Sequence, residues 1–272
     1  MTVIGVVGTG AMGSALVKGW LRSAGDETSL IVWDKIEAAT KRLPPDDRVE
    51  IAGDVRDLAA RADTIFVVVK PKDAAEAIAA FSPPLRPDQA VVSAMAGVTL
   101  ASLRAMTGPS PTVVRIMPNL GVELAVGAVS VAVEEQVDQG QVARVLQLLE
   151  PLGLAQVLSE DMIDVTTAVS GSGPGFLALA IESLEDGAVA AGLTRPLARS
   201  LVRQAALDAA RLLEGFADSP AALRAHLAES GSLFAPGLDT LDTAGVRSAF
   251  RQAVEAAVER SRRSGGSHVS PR

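Results

Sequence analysis

The chain has 272 residues, 48% of them apolar and 21% charged, enough for one large globular domain or two smaller ones. Its formal net charge of −7 excludes a general nucleic-acid or anionic-membrane partner, since both require a basic footprint. The absence of cysteine excludes disulfides, thiol nucleophiles and Cys-zinc sites, and having only two histidines, His226 and His268, argues against a multi-histidine site, so no metal is expected.

Aromatic residues make up 3% of the chain and tyrosine is absent, so the core is expected to be aliphatic, as suits parallel strands beneath helices. Residues 2–7 read as a strand and 11–23 as a helix with one apolar face. A strand at 30–33 and a short helix at 37–43 follow. The pattern continues as helix 56–62, strand 64–69, helix 72–81, strand 90–94, helix 100–106 and strand 112–117. Such alternation predicts a parallel sheet with right-handed crossovers. A further strand at 127–133 and an amphipathic helix at 141–152 extend it.

From about Ser159 the character changes to long helices, rich in alanine and leucine at 174–191, 196–214 and 220–227, and closed by 245–263 with apolar residues at helical spacing. These patterns predict an α/β domain over 1–158, a helical domain over 159–264 and a disordered tail over 265–272. The helices have more apolar faces than one sheet domain can cover, which predicts a homodimer or a larger homo-oligomer. The longest uncharged stretch, 165–181, is broken by Ser170-Gly171-Ser172-Gly173-Pro174 and makes a poor membrane span. No basic leader precedes the first strand, so a cytoplasmic protein is expected.

The motif with chemical content is Gly8-Thr9-Gly10-Ala11-Met12-Gly13, a G-x-G-x-x-G run between a strand and a helix. Gly8 permits the turn, Gly10 lets backbone approach a diphosphate, and Gly13 lets helix and strand pack closely. The helix N-terminus then offers free N–H groups and a positive dipole end to the anion. Asp34 ends the second strand about 20 residues further on, where an acid can bind a ribose 2′-hydroxyl. That favours NADH. Lys35 follows it and either accommodates a 2′-phosphate, favouring NADPH, or is a solvated surface lysine. Both cofactors stay open at this point.

Five motifs then occur in order. They are Gly8–Gly13, Val69-Lys70-Pro71, Ser93-Ala94-Met95-Ala96-Gly97, Arg115-Ile116-Met117-Pro118-Asn119 and Ser170-Gly171-Ser172-Gly173-Pro174. Together with Asp186-Gly187-Ala188-Val189-Ala190-Ala191-Gly192-Leu193 they make the chain, to about Ser261, resemble the pyrroline-5-carboxylate reductases. The resemblance implies an α/β, Rossmann-like domain followed by an all-α dimerisation domain that intertwines with a second subunit. It implies hydride transfer from NADPH or NADH to the C=N bond of a small-molecule cyclic imine, giving proline. By position, Val68, Val69, Lys70 and Pro71 would face the cofactor, as would Ala94, Met95 and Ala96, and Asn119 would lie near the nicotinamide. Ser170–Pro174 would open the first long helix of the second domain. Little side-chain chemistry is needed, because a protonated imine is already electrophilic. The protein has to place the reacting atoms, neutralise a substrate carboxylate and exclude water.

One segment departs from the family pattern. Where the family carries T-S-P-G-G-T-T, this chain reads Ala228-Glu229-Ser230-Gly231-Ser232-Leu233-Phe234. Phe234 replaces a hydroxyl expected to contact substrate, and Glu229 replaces another. His226 stands where the family has asparagine, and Ala217 beside Asp218 where it has an acid. His226 either supplies a lost polar contact or a proton, or is a surface or interface histidine. Ser232 could restore a hydroxyl after a small loop shift. For Glu160 and Asp164 a cofactor role competes with N-terminal capping, and capping is the expectation.

Three readings follow. The chain is a reductase of pyrroline-5-carboxylate, a reductase of a different cyclic imine, or a non-catalytic nucleotide-binding relative. The β-hydroxyacid dehydrogenases are disfavoured, since the lysine they use on the first inter-domain helix has no counterpart in 174–191.

Overall fold

The computed structural model describes the chain except for residues 1, 24, 26–27, 82–84, 216–218, 229–232 and 267–272. Its contacts divide into two compact units, residues 1–171 with the chain from Val258 onward, and residues 172–257.

The first unit is built on an eight-stranded sheet: β1 (Thr2–Val7), β2 (Thr28–Trp33), β3 (Val49–Ile51), β4 (Thr64–Val67), β5 (Ala90–Ser93), β6 (Thr112–Pro118), β7 (Gly127–Val133) and β8 (Gly153–Val157). The order across the sheet is β3-β2-β1-β4-β5-β6-β7-β8. Every neighbouring pair is parallel except β6 and β7. The link between those two is too short for a crossover, so the chain turns back on itself. Helices α1 (Ala11–Ser23), α2 (Glu37–Thr40), α3 (Val55–Arg61), α4 (Ala74–Ala79), α5 (Leu100–Thr107), α6 (Gln139–Leu149) and α7 (Ile163–Thr166) complete the unit.

Successive strand residues point to opposite faces, and the core is split accordingly. Val7, Ile31, Leu58, Ile65, Val91 and Leu103 form one layer, while Ile4, Leu16, Trp20, Val32, Phe66 and Leu149 form the other. Trp20 packs edge-on against Phe66 with centroids 4.9 Å apart, and its Nε1–H donates to the Leu148 carbonyl at 2.6 Å. An indole buried this deeply needs such a partner.

Several boundaries differ from those the sequence suggests. The expected helix 141–152 stops at Leu149, because Pro151 cannot continue it and instead sits in a short 3₁₀ turn leading into β8. Strands β3 and β8 are not anticipated from the sequence. Residues 159–171 belong with the sheet rather than with the long helices: Ile163 is 1% exposed and packs in the layer that holds Val7 and Ile65.

The second unit contains α8 (Gly173–Ala190), α9 (Arg195–Gly215), α10 (Pro220–Leu227), α11 (Phe234–Thr243) and most of α12 (Val246–Gly266). Helix α12 extends two residues into the expected tail, and the remainder of that tail lies outside the described residues. Helix α11 falls where the sequence predicts no element, and Pro236 is tolerated because it sits in the first helical turn. Leu179 and Leu184 on α8 and Leu201 on α9 are 65%, 60% and 53% exposed. Within one chain these helices leave much of their apolar surface uncovered.

Candidate active site

The strand order reverses direction at β1, with β2 on one side and β4 on the other, so a crevice opens at the carboxyl ends of these strands. The register puts Val7 level with Trp33 of β2 and Val67 of β4. Gly8, Asp34 and Val68 therefore emerge side by side.

The three glycines of the first turn answer three separate demands. Gly8 has φ +97°, and a Cβ there would lie 2.7 Å from the Val68 carbonyl oxygen. A Cβ on Gly13 would lie 1.9 Å from the Gly8 carbonyl oxygen. At Gly10 a Cβ would meet no protein atom within 4 Å, so the space before the helix is open. Ala11, Met12 and Gly13 form the first turn of α1, whose N–H groups have no intrahelical acceptor. Open space, small residues and free donors fit the diphosphate of a dinucleotide.

Thr9 is buried and donates its N–H to Asp34 Oδ2 at 2.7 Å, with its hydroxyl 3.4 Å from the same oxygen. Asp34 Oδ1 accepts from the Ile36 N–H at 2.8 Å. Lys35 pairs with Asp73, Nζ to Oδ1 2.8 Å. The hydrogen bond from Lys35 holds the Asp73 carboxyl below its ordinary range, and the reciprocal bond raises the Lys35 ammonium. A cavity of about 380 Å³ adjoins these groups and is lined by Gly8, Gly10, Asp34, Lys35 and, across from them, Val68, Val69 and Lys70. Pro71 begins the 3₁₀ turn that follows Lys70. Arg42 and Lys72 also line the cavity. No motif in the sequence marks them, since they come from the turn after α2 and the 3₁₀ turn after β4, which only folding brings together.

Ala94 continues from the end of β5 and donates its N–H to the Val67 carbonyl at 3.0 Å, so its backbone sits beside the same strand end. Met95 is 1% exposed and its side chain lies in the core, so the thioether is not presented to a ligand. Ala96 is exposed. None of the three lines the cavity. The Asn119 side chain makes three hydrogen bonds: Nδ2 donates to the Ser170 carbonyl at 2.9 Å, and Oδ1 accepts from Gly121 and Ala128 N–H, both at 3.1 Å. It pins the β6–β7 turn to the π-helical turn Thr167–Gly171.

Glu160 caps a helix, but not its own. Its Oε1 accepts the Leu100 N–H at the start of α5 at 2.8 Å, and Arg115 Nη1 at 2.9 Å. Asp164 accepts the Ser261 hydroxyl at 2.7 Å. Of the residues expected at the substrate pocket, His226 is exposed in the last turn of α10 and Phe234 is half-buried at the head of α11. Ser232 lies outside the described residues, as do Ala217, Asp218 and Glu229.

Residues 160–264 match the family model described as pyrroline-5-carboxylate reductase dimerisation. Residues 3–97 match the one described as NADP oxidoreductase coenzyme F420-dependent. The pyrroline-5-carboxylate reductase of Corynebacterium melassecola is 32% identical over 96% of this chain and 98% of its own length. Among solved structures, the pyrroline-5-carboxylate reductase of Coxiella burnetii superposes with a TM-score of 0.86 at 28% identity, covering 96% of this chain and 97% of that one. The Plasmodium falciparum pyrroline carboxylate reductase with NADP bound gives a TM-score of 0.81 at 26% identity, covering 97% and 98%.

Proposed function

The chain belongs to the pyrroline-5-carboxylate reductase family, and on that premise we propose that it reduces 1-pyrroline-5-carboxylate to proline with NADPH or NADH. It is an NAD(P)-dependent oxidoreductase acting on a C=N bond. The observation that carries this reading is the turn after β1, where Gly10 leaves open space before the free N–H groups of α1.

When bound, the reduced nicotinamide supplies the hydride, which adds to the imine carbon while the nitrogen keeps its proton. The chain's own part is placement. The first turn of α1 would hold the diphosphate, and Asp34 and the cavity beside it would take the adenosine end. Asn119 acts as a positioning residue, holding the β6–β7 turn at the carboxyl edge of the sheet. By the family pattern, recognition of the substrate carboxylate falls to the segment 228–234.

A second reading has a specific basis. Leu233 and Phe234 stand where the family carries two threonines, Leu233 97% exposed and Phe234 half-buried. A surface made apolar here suits a bulkier cyclic imine with less reliance on a carboxylate. We assign residues 1–158 to cofactor binding and 159–264 to substrate binding and subunit pairing, in a homodimer or larger homo-oligomer. The exposed leucines of α8 and α9 support that pairing. Among the described residues no helix is long and apolar enough to cross a membrane, and the cytoplasm is the proposed location.

The deciding experiment incubates purified protein with NADH or NADPH and a panel of cyclic imines, following loss of the reduced nicotinamide. Turnover of pyrroline-5-carboxylate supports the first reading, and turnover of other imines alone supports the second. Tight cofactor binding with no turnover on any imine would leave a nucleotide-binding protein that has lost the reaction.

A further inference from the structure

We propose that Asp34, clamped by backbone on both carboxylate oxygens, makes this chain select NADH over NADPH. The inference rests on the reading of the Gly8–Gly13 turn as a dinucleotide site and deepens it.

A carboxylate at the end of β2 can meet a ribose 2′-hydroxyl as an acceptor, but it opposes a 2′-phosphate. That opposition is weak if the side chain can swing away. Here it cannot swing without cost. Oδ2 is held by the Thr9 N–H at 2.7 Å and Oδ1 by the Ile36 N–H at 2.8 Å, so rotating the carboxylate outward breaks bonds at both ends. The Thr9 bond adds a further consequence. It ties Asp34 to the same turn that receives the diphosphate, fixing the distance between the acid and the site of the ribose.

The cations nearby do not cancel this arrangement. Lys35, the residue best placed by sequence to accept a phosphate, is already paired with Asp73 at 2.8 Å. Arg42 lines the cavity and has no ion pair among the described residues, but it is exposed and its charge is screened by water. Lys70 and Lys72 are likewise exposed, on the wall that follows β4 and next to Asp73 and Glu76. A half-buried anion held by backbone outweighs mobile surface cations in selecting between two ligands that differ by one phosphate. Arg42 instead becomes decisive once the carboxylate charge is gone.

The test is calorimetric titration of the intact protein with NADH and with NADPH separately, on wild type, Asp34→Asn and Asp73→Asn. The amide of Asp34→Asn keeps an oxygen for the Thr9 N–H while removing the charge, and Asp73→Asn weakens the hold on Lys35. Wild type is expected to bind NADH at least about tenfold more tightly than NADPH, a difference set by charge at one position. Asp34→Asn is expected to tighten NADPH by about tenfold and to weaken NADH by a few-fold. Asp73→Asn is expected to tighten NADPH alone. Equal or tighter binding of NADPH by wild type overturns the proposal and leaves the oxidoreductase reading intact. Binding of neither dinucleotide overturns both. If Asp34→Asn fails to fold, the wild-type ratio and the Asp73→Asn titration still decide the matter.

Discussion

Arg115 and Glu160, 45 residues apart in sequence, meet at 2.9 Å with the arginine side chain only 8% exposed. The same glutamate oxygen takes the Leu100 N–H at 2.8 Å, so one carboxylate joins β6, the start of α5 and the segment leading to α7. Both interactions depend on a residue the sequence offers as an ordinary cap. Removing it strands a buried guanidinium whose Nε already lacks a hydrogen-bond partner.

Glu160→Ala is therefore expected to destabilise the protein by about 3 kcal/mol, the low end for breaking a buried pair because Glu160 itself is partly exposed. Glu160→Gln keeps an acceptor and should lose about half of that. Urea unfolding of the two variants measures both values. Equal losses would show that the charge, and not the hydrogen bonds, holds the junction.

The glycine turn separates folding from binding at two neighbouring positions. In Gly13→Ala the new methyl collides with the Gly8 carbonyl, so the thermal midpoint and cofactor affinity should fall together. In Gly10→Ala it meets no protein atom, so stability should change by no more than about 0.5 kcal/mol. Dinucleotide binding should nevertheless weaken by at least about tenfold, because the methyl occupies the phosphate approach. Unaltered affinity in Gly10→Ala would remove the diphosphate from this turn.

Asn119 makes three hydrogen bonds with one amide. Asn119→Ala should cost about 2–3 kcal/mol, as expected when several partly buried backbone groups lose their partner. Turnover should fall more than cofactor affinity does, since the turn lies at the far strands and not at the Asp34 cavity. Denaturant melts and titration on the same sample separate the two effects.

Asp46 gives a pH dependence with a defined sign. Hydrogen bonds from the Arg48 side chain, then from its backbone N–H, lower the Asp46 pKa from 3.8 to about 2. A depressed folded pKa stabilises the protein fully above the unfolded value, and that contribution is lost as pH falls through the folded one. The thermal midpoint should therefore include a drop between pH 3.8 and about 2 that is missing from Asp46→Asn. An identical acid profile in the two proteins would show that the pair contributes nothing.

Phe234 heads α11 where the family pattern has a hydroxyl. Phe234→Thr is expected to raise kcat/KM for pyrroline-5-carboxylate by about tenfold, roughly the value of one hydrogen bond to a charged group. Initial rates on wild type and variant measure it. No gain would mean that the aromatic side chain does not gate the pocket.

Local order was legible in the residues themselves. The alternation of strands and helices, the G-x-G-x-x-G turn and the acid at the end of β2 all depend on neighbours within a few positions, and each was placed from pattern alone. Strands β3 and β8 were not, because three residues such as Val49-Glu50-Ile51 are too few to establish a period, and Gly153–Val157 becomes a strand only by pairing with β7.

The glycines and the end of β2 could be read from the chain because backbone sterics act residue by residue. What those groups touch was decided by the sheet: its register sets Thr9 on Asp34, and the fold brings Asp73 to Lys35, Ser170 to Asn119 and Glu160 to Arg115. These partners lie 25 to 51 positions apart. At such separations only the close packing of strands under helices, and the need to satisfy every buried polar group there, determines which side chains meet.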